Sequence, residues 1–306
     1  MGKIVYESVL DMVGNTPLAL VKTDEVDGVN IYIKLEGFNP TGSIKDRAGL
    51  YNIKGAIRDG KLSKGMTILE ASSGNMACAV AYYGKVLGYK THVVCGSKLT
   101  LDKKNFIEYF GAKVEMYGDY TIQANRYCRD HIAPNNKDYC FLDQLHNVDN
   151  PLASYETLGP ELLRDLPDLR MVVGSLGSGG SMAGVGKYLK EKQKDVKIIT
   201  VEAGSGSKIP GTGAFVDGDY ITPFISEARR MNTFDDSISI DIESAMARTS
   251  QLASQGYFVG FQTGGVFDAC IKAVKKHNIK GDVVIVSGDS GWKNVEKLMA
   301  NFNKDL

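Results

Sequence analysis

Short strand-like runs alternate with helix-like runs along most of this chain, and that alternation limits the fold more than any other feature. Ile31 to Leu35, Thr67 to Glu70, Thr91 to Cys95, Lys113 to Tyr117, Met171 to Gly174, Lys197 to Ala203 and Asp282 to Ser287 read as strands. Ala48 to Ile53, Ala77 to Leu87, Lys103 to Phe110, Met182 to Gln193, Glu243 to Gln255, Phe267 to His277 and Trp292 to Asn301 read as helices. Strands followed by helices imply parallel sheets with right-handed crossovers. The polar stretch from Asp143 to Pro151 interrupts the pattern and marks a junction, so two α/β domains with a cleft between them are expected. Ligands in such sheets collect at the carboxyl ends of strands. The stretch from Gly204 to Ser237, with Pro210, Gly211, Gly213, Gly218 and Pro223, reads as an irregular functional loop or cover.

Four polar stretches fall where strands end. The first is Asn39-Pro40-Thr41-Gly42-Ser43-Ile44-Lys45-Asp46-Arg47, a turn made by Pro40 and Gly42, with Ser43 as the expected helix N-cap. Lys45 then lies in the first helical turn, where the helix dipole disfavours a cation and a neutral amine nucleophile is favoured. The other reading of Lys45 is a solvated lysine on a helix surface. The second stretch is Ser72-Ser73-Gly74-Asn75, and the third is Gly177-Ser178-Gly179-Gly180-Ser181. Glycines followed by a helix suit a phosphate group, because the backbone can approach it and the helix turns its positive end towards it. Such a loop also suits a nucleotide, but Met182 breaks the G-x-G-x-x-G pattern and no lysine follows as a P-loop requires. The fourth stretch is Gly288-Asp289-Ser290-Gly291.

Charge and cysteine usage exclude several classes. Lys plus Arg and Asp plus Glu number 36 each, which gives no electrostatic reason to expect nucleic acid or an anionic membrane as partner. The apolar runs are strand-length, too short to cross a bilayer, and the N terminus lacks an apolar core of signal-peptide length. A cytoplasmic protein is expected. The five cysteines and four histidines are scattered without ligand spacing, so neither a disulfide framework nor a metal site is expected.

Taken together and in this order, the four stretches resemble the pyridoxal-phosphate (PLP) enzymes of the cysteine synthase and cystathionine β-synthase family. The resemblance runs from Val13-Gly14-Asn15-Thr16-Pro17-Leu18 to the Ser-Gly near the C terminus. It implies two three-layer αβα domains with mostly parallel sheets, the tryptophan synthase β-like fold known as PLP fold type II. By the same resemblance, residues 41–146 form a smaller movable domain, and residues 1–40 with 147–306 form a larger one that anchors the cofactor. Lys45 matches the family's Schiff-base lysine and catalytic base. Asn75 matches the residue on the ring hydroxyl, and Ser290 the residue at the pyridine nitrogen. Gly177, Ser178, Gly179, Gly180 and Ser181 match the phosphate cup. Ser72, Ser73, Asn75 and Gln144 match the binders of the substrate carboxylate.

The implied chemistry is β-replacement at a three-carbon amino acid through an α-aminoacrylate: an activated serine plus sulfide gives cysteine. A homodimer is the family's habit. Two departures bear on specificity. The family's Asn-Thr-Gly is Asn75-Met76-Ala77 here, which removes a hydroxyl, and the resemblance fades beyond Val216. In that later stretch, Arg229 or Arg230 would suit an anionic leaving group. Alternatively Asp217, Asp219, Glu227, Asp235 or Asp236 would activate water. The second case suits a lyase that takes cysteine, releases hydrogen sulfide and adds hydroxide, or another thiol. A non-catalytic binding protein that has kept the fold is the reading from a different class.

Overall fold

The computed structural model describes residues 5–302. In chain order the strands are β1 (Leu18–Val21), β2 (Val29–Leu35), β3 (Thr67–Ala71), β4 (Lys90–Cys95), β5 (Lys113–Met116), β6 (Tyr139–Phe141), β7 (Leu169–Ser175), β8 (Lys197–Ala203), β9 (Asp236–Ile240) and β10 (Gly281–Ser287). The α-helices are α1 (Lys45–Arg58), α2 (Asn75–Val86), α3 (Leu101–Tyr109), α4 (Thr121–Tyr127), α5 (Asp149–Ala153), α6 (Gly159–Asp165), α7 (Gly180–Lys192), α8 (Pro223–Arg230), α9 (Ile242–Ala253), α10 (Phe261–His277) and α11 (Val295–Phe302).

The chain divides into two compact units. One comprises Met1–Val13 and Lys45–Leu152, the other Gly14–Ile44 and Ala153–Leu306. The opening segment was expected with the larger domain, yet residues up to Val13 cluster with the smaller unit. Leu10 and Val13 pack against the core of that unit, beside Ile53, Ile68 and Val80.

The smaller unit carries a four-stranded sheet in the order β5-β4-β3-β6, parallel throughout. The larger unit carries a six-stranded sheet in the order β1-β2-β10-β7-β8-β9. There, only β1 runs antiparallel to its neighbour among the described strands. Parallel sheets need cover on both faces, which is why these strands are apolar without alternation. In the larger unit Ile31, Ile33, Val173, Val201 and Ile285 face a core shared with Val266 and Phe267 of α10. Tyr32, Val172, Ile198, Val284 and Val286 face the opposite core, shared with Leu162 of α6 and Leu189 of α7. This is the layered α/β arrangement the sequence implied.

Several elements also depart from the sequence reading. The Gly204–Ser237 stretch is not a continuous loop: it holds α8 and the start of β9. Thr222 caps α8 by accepting from the Ile225 N–H, and Pro223 fills the first helical position. Helix α10 begins at Phe261 rather than Phe267, and the expected final helix splits into a 3-10 turn, Gly291–Asn294, and α11. The segment Leu18–Val21, which the alternation did not mark as a strand, is an edge strand. All five cysteines are buried. No described helix is long and apolar enough to cross a membrane.

Candidate active site

In the smaller unit, β3 delivers its carboxyl end into Ser72-Ser73-Gly74, and α2 begins at Asn75. The Ser72 N–H donates to Val94 O at 3.0 Å. Ser72 Oγ accepts from the Gly74 N–H at 3.1 Å, which folds the turn and leaves the serine's own hydrogen for an acceptor. Ser73 is used differently. Its Oγ accepts from the Gly96 N–H at 2.6 Å and contacts Gly96 O at 3.3 Å, so its hydroxyl ties the turn to the end of β4. Gln144 is buried, and its Nε2 donates to Ala71 O at 3.2 Å. Ser72, Ser73 and Gln144, predicted from separate stretches, are thus brought together at one strand end, with Asn75 opening the helix that follows.

Lys45 is the first residue of α1. It keeps some contact with solvent but lies deep, and burial pulls its ammonium down to about 8. Desolvation rather than the helix dipole is the cause. Ser43 is not the N-cap expected of it. It lies outside the helix, is fully buried, and forms a β-bridge with Asp289. Met76 is buried in the core between α1 and α2. A Cβ on Gly49 would lie 3.7 Å from its Sδ, so the side chain that replaces the family's hydroxyl serves packing.

In the larger unit, β7 leads through Gly177-Ser178-Gly179 into α7. Gly179 has φ +79°, which favours glycine, and a Cβ there would stand 2.2 Å from Ile225 Cγ1. A Cβ at Gly177 would stand 2.9 Å from Gly211 O. The turn is held from outside by Thr222, whose Oγ1 donates to Ser178 O at 2.6 Å. Ser290 follows β10. Its N–H donates to Gly42 O at 3.1 Å, and its Oγ accepts from the Trp292 N–H at 3.2 Å. The hydroxyl caps the 3-10 turn, and its own hydrogen remains to be donated. Asp289 is buried beside it.

Gln262 donates through Nε2 to Ser175 Oγ at the end of β7. Two other residues escaped the sequence reading. Thr222 was passed over because its stretch read as irregular; the Thr-Pro pair ahead of an amphipathic run was the available signal. Glu70, one residue from the end of β3, is fully buried. A charge inside a strand covered on both faces was its signal.

Most of the charges named beyond Val216 are engaged in structural bonds, whereas the exposed Glu227 and Arg230 approach each other only to 4.0 Å. Arg229 pairs with Glu202 at 2.7 Å, Asp217 accepts from Ser205 and the Gly206 N–H at 2.8 Å, and Asp219 accepts from the Ala214 N–H at 2.8 Å. Asp235 pairs with Lys190 at 2.7 Å, and Asp236 with Lys276 at 2.7 Å. Burial pushes the Asp235 carboxyl up, but Lys190, the Ile198 N–H and Lys197 outweigh it and hold it below the usual range. A general base near neutrality would need the reverse.

Comparison with known proteins adds a consistent result. The family profile described as pyridoxal-phosphate dependent enzyme matches residues 9–288. The chain is 33% identical over 276 residues to cysteine synthase B of Campylobacter jejuni, covering 89% of this chain and 91% of that one. It is 30% identical, with TM-score 0.87, to the structure of a hydrogen sulfide-producing enzyme from Fusobacterium nucleatum, covering 95% and 99% of the two chains. With O-acetyl serine sulfhydrylase isoform 3 of Entamoeba histolytica it shares 26% identity and a TM-score of 0.88, over 99% and 93% of the two chains.

Proposed function

Since the chain belongs to the pyridoxal-phosphate-dependent enzymes and, among them, to the cysteine synthase group, we propose that it makes cysteine from an activated serine and sulfide. The cofactor is PLP, which when bound supplies the electron sink that lets the α-proton leave. The residues fit it. Gly177 and Gly179 stand where neighbouring atoms leave no room for a Cβ, which suits a cup of backbone N–H groups around a phosphate. Lys45 offers an amine that gives up its proton near pH 8.

In this proposal Lys45 Nζ would hold the cofactor at rest and, freed as an amine, would take the proton from the substrate α-carbon and return it after sulfide has added. The N–H groups of Gly177, Ser178, Gly179, Gly180 and Ser181 would hold the phosphate. Ser290 would give its hydroxyl hydrogen to the pyridine nitrogen, and Asn75 would serve the ring hydroxyl. Ser72, Asn75 and Gln144 orient the substrate carboxylate, and Ser73 acts with them chiefly by fixing the turn. The leaving carboxylate departs with the electron pair of the Cβ–O bond, and hydrosulfide supplies the pair for the new Cβ–S bond. A cytoplasmic homodimer, with residues 41–146 as the moving part, completes the proposal on the strength of the family resemblance. The observation that carries it is Lys45, a buried lysine at the head of α1 whose ammonium is weakened by desolvation, in a chain whose relatives are cysteine synthases.

The likeness to a hydrogen sulfide-producing enzyme favours a second reading, sulfide release from cysteine with serine as product. Against it, Asp217, Asp219, Asp235 and Asp236 are each committed to structural bonds. Purified protein is given O-acetylserine with sulfide, and separately cysteine alone, with cysteine, serine and sulfide measured. The first mixture is expected to react with the larger kcat/KM. Faster release of sulfide and serine from cysteine alone overturns the synthase reading.

A further inference from the structure

One buried acid next to the substrate loop has no part in the chemistry above. Glu70 precedes Ala71-Ser72, and its side chain is fully buried. One carboxyl oxygen accepts from the Ala71 N–H at 3.0 Å, while Oε2 is buried without a hydrogen-bond partner. The carboxyl lies against Gln144, whose backbone N–H and side chain favour its charged form as the Ala71 N–H does, and against the Asp143 carboxylate beside it. Among the described residues no cation pairs with it. Burial first, and then the Asp143 charge, push the Glu70 carboxyl up to about 8.

Hydrogen bonds from Ala71 and Gln144 offset the burial only in part, and the surrounding described elements bring no cation. Asp143 is an anion already shared with Asn125 at 2.7 Å and His146 at 2.9 Å. Cys128, from the π-helical turn after α4, is a thiol held protonated by burial. On β4, His92 turns to Glu115, and the Cys95 thiol is held protonated by burial. On β6, the Cys140 thiol is likewise raised by burial, and Cys78 of α2 is a buried thiol.

We propose that Glu70 is a positioning residue kept in its neutral, protonated form beneath the Ser72–Asn75 turn, and that loss of its proton loosens the turn and shuts down substrate binding at alkaline pH. The physical reason is a charge without a partner. A carboxylate at Glu70 would stand next to Asp143 in a dry interior. The backbone relieves that by moving Ala71 or Gln144, the two groups that fix the carboxylate-binding end of β3. The inference rests on the assignment of Ser72, Asn75 and Gln144 to the substrate carboxylate.

The test compares pH profiles of kcat/KM for the holoenzyme and its E70Q variant with O-acetylserine. Any limb set by Lys45 is common to both proteins and cancels in their ratio. That ratio, E70Q over wild type, is expected to rise about tenfold between roughly pH 7 and pH 9, carried by KM. Asp143→Asn, which removes the repelling charge, is expected to move the wild-type alkaline limb to lower pH. Infrared difference spectra between pH 7 and pH 9 give a readout apart from turnover. A protonated-carboxyl band present in wild type should vanish on alkalinisation and be missing from E70Q. Superimposable profiles for wild type and E70Q, or no such band in wild type, overturn the proposal. Ser72→Ala and Gln144→Ala separate the two layers. If both leave KM unchanged, the loop assignment falls and takes the proposal with it. If both raise KM while the E70Q and wild-type profiles coincide, the proposal alone falls.

Discussion

The turn after β3 and the turn after β7 follow one plan, a parallel strand running into a helix through three or four residues, yet they hold themselves together in opposite ways. The first is tied by side chains. Ser72 folds onto Gly74, Ser73 grips Gly96, and Gln144 clamps Ala71. The second is shaped by missing side chains. Gly179 takes a positive φ, Gly177 lies against Gly211 O, and a side-chain bond comes from outside, from Thr222. The first turn offers hydroxyl and amide donors set at fixed angles, which suits a small carboxylate that must be told from others. The second offers backbone N–H groups and a helix end, which suits a phosphate that needs many donors and little discrimination.

That contrast is open to breakage. The largest effect belongs to Lys45, which neither turn can replace: Lys45→Ala is expected to cut turnover by at least ~10³-fold, read as loss of product formation and of the bound cofactor's visible absorbance. The same variant without cofactor should be more stable at neutral pH. The folded-state value of Lys45 lies below the ordinary lysine value, so its cost is complete below about pH 8 and lifts as pH rises towards 10.5. Its removal should gain about 1–2 kcal/mol at pH 7 in denaturant titrations, and little at high pH.

Next comes Gly179→Val, which forces a branched side chain into Ile225 at a positive φ. It should weaken PLP retention by ~100-fold or more in equilibrium dialysis. If Gly179→Val keeps its cofactor, the backbone-donor account of the second turn is wrong. Ser72→Ala should act on the other turn, raising KM for the amino acid by about tenfold with kcat changed far less and PLP retained. Equal losses of PLP affinity from Ser72→Ala and Gly179→Val would erase the distinction between the turns. The smallest effect is expected at Arg229, where Arg229→Ala removes a half-exposed ion pair with Glu202. It should change kcat/KM by less than about twofold and cost less than ~1 kcal/mol in thermal unfolding. A larger loss of kcat/KM would return this stretch to the reaction.

The alternation of βα units was legible because parallel strands covered on both faces are apolar runs bounded by turns, and β8, Lys197–Ala203, lies where the run predicts it. The Lys45, Ser72 and Gly177 stretches were legible because each sits at a strand end and carries residues a plain turn does not need. What stayed hidden depends on distance along the chain. The segment up to Val13 joins the smaller unit through Leu10 and Val13, contacts that no local pattern encodes. β9 was lost because Asp236–Ile240 is polar on alternate positions and is held at a sheet edge by pairing with β8. Ser43 has the composition of a cap, but the β-bridge to Asp289 takes it elsewhere. Glu70 was overlooked because a single acid in an apolar strand has meaning only once Asp143 is seen beside it.

The placement of the cysteines bears on the company this protein keeps. All five thiols are buried, and burial pushes Cys95 up to about 12 and raises Cys128, Cys140 and Cys270 as well. A catalyst that handles sulfide and cysteine works amid reagents that capture exposed thiolates as mixed disulfides or persulfides. With its cysteine thiols sheathed, this chain should be chemically deaf to the compounds proposed as its substrates, so its output should not feed back on it through covalent damage.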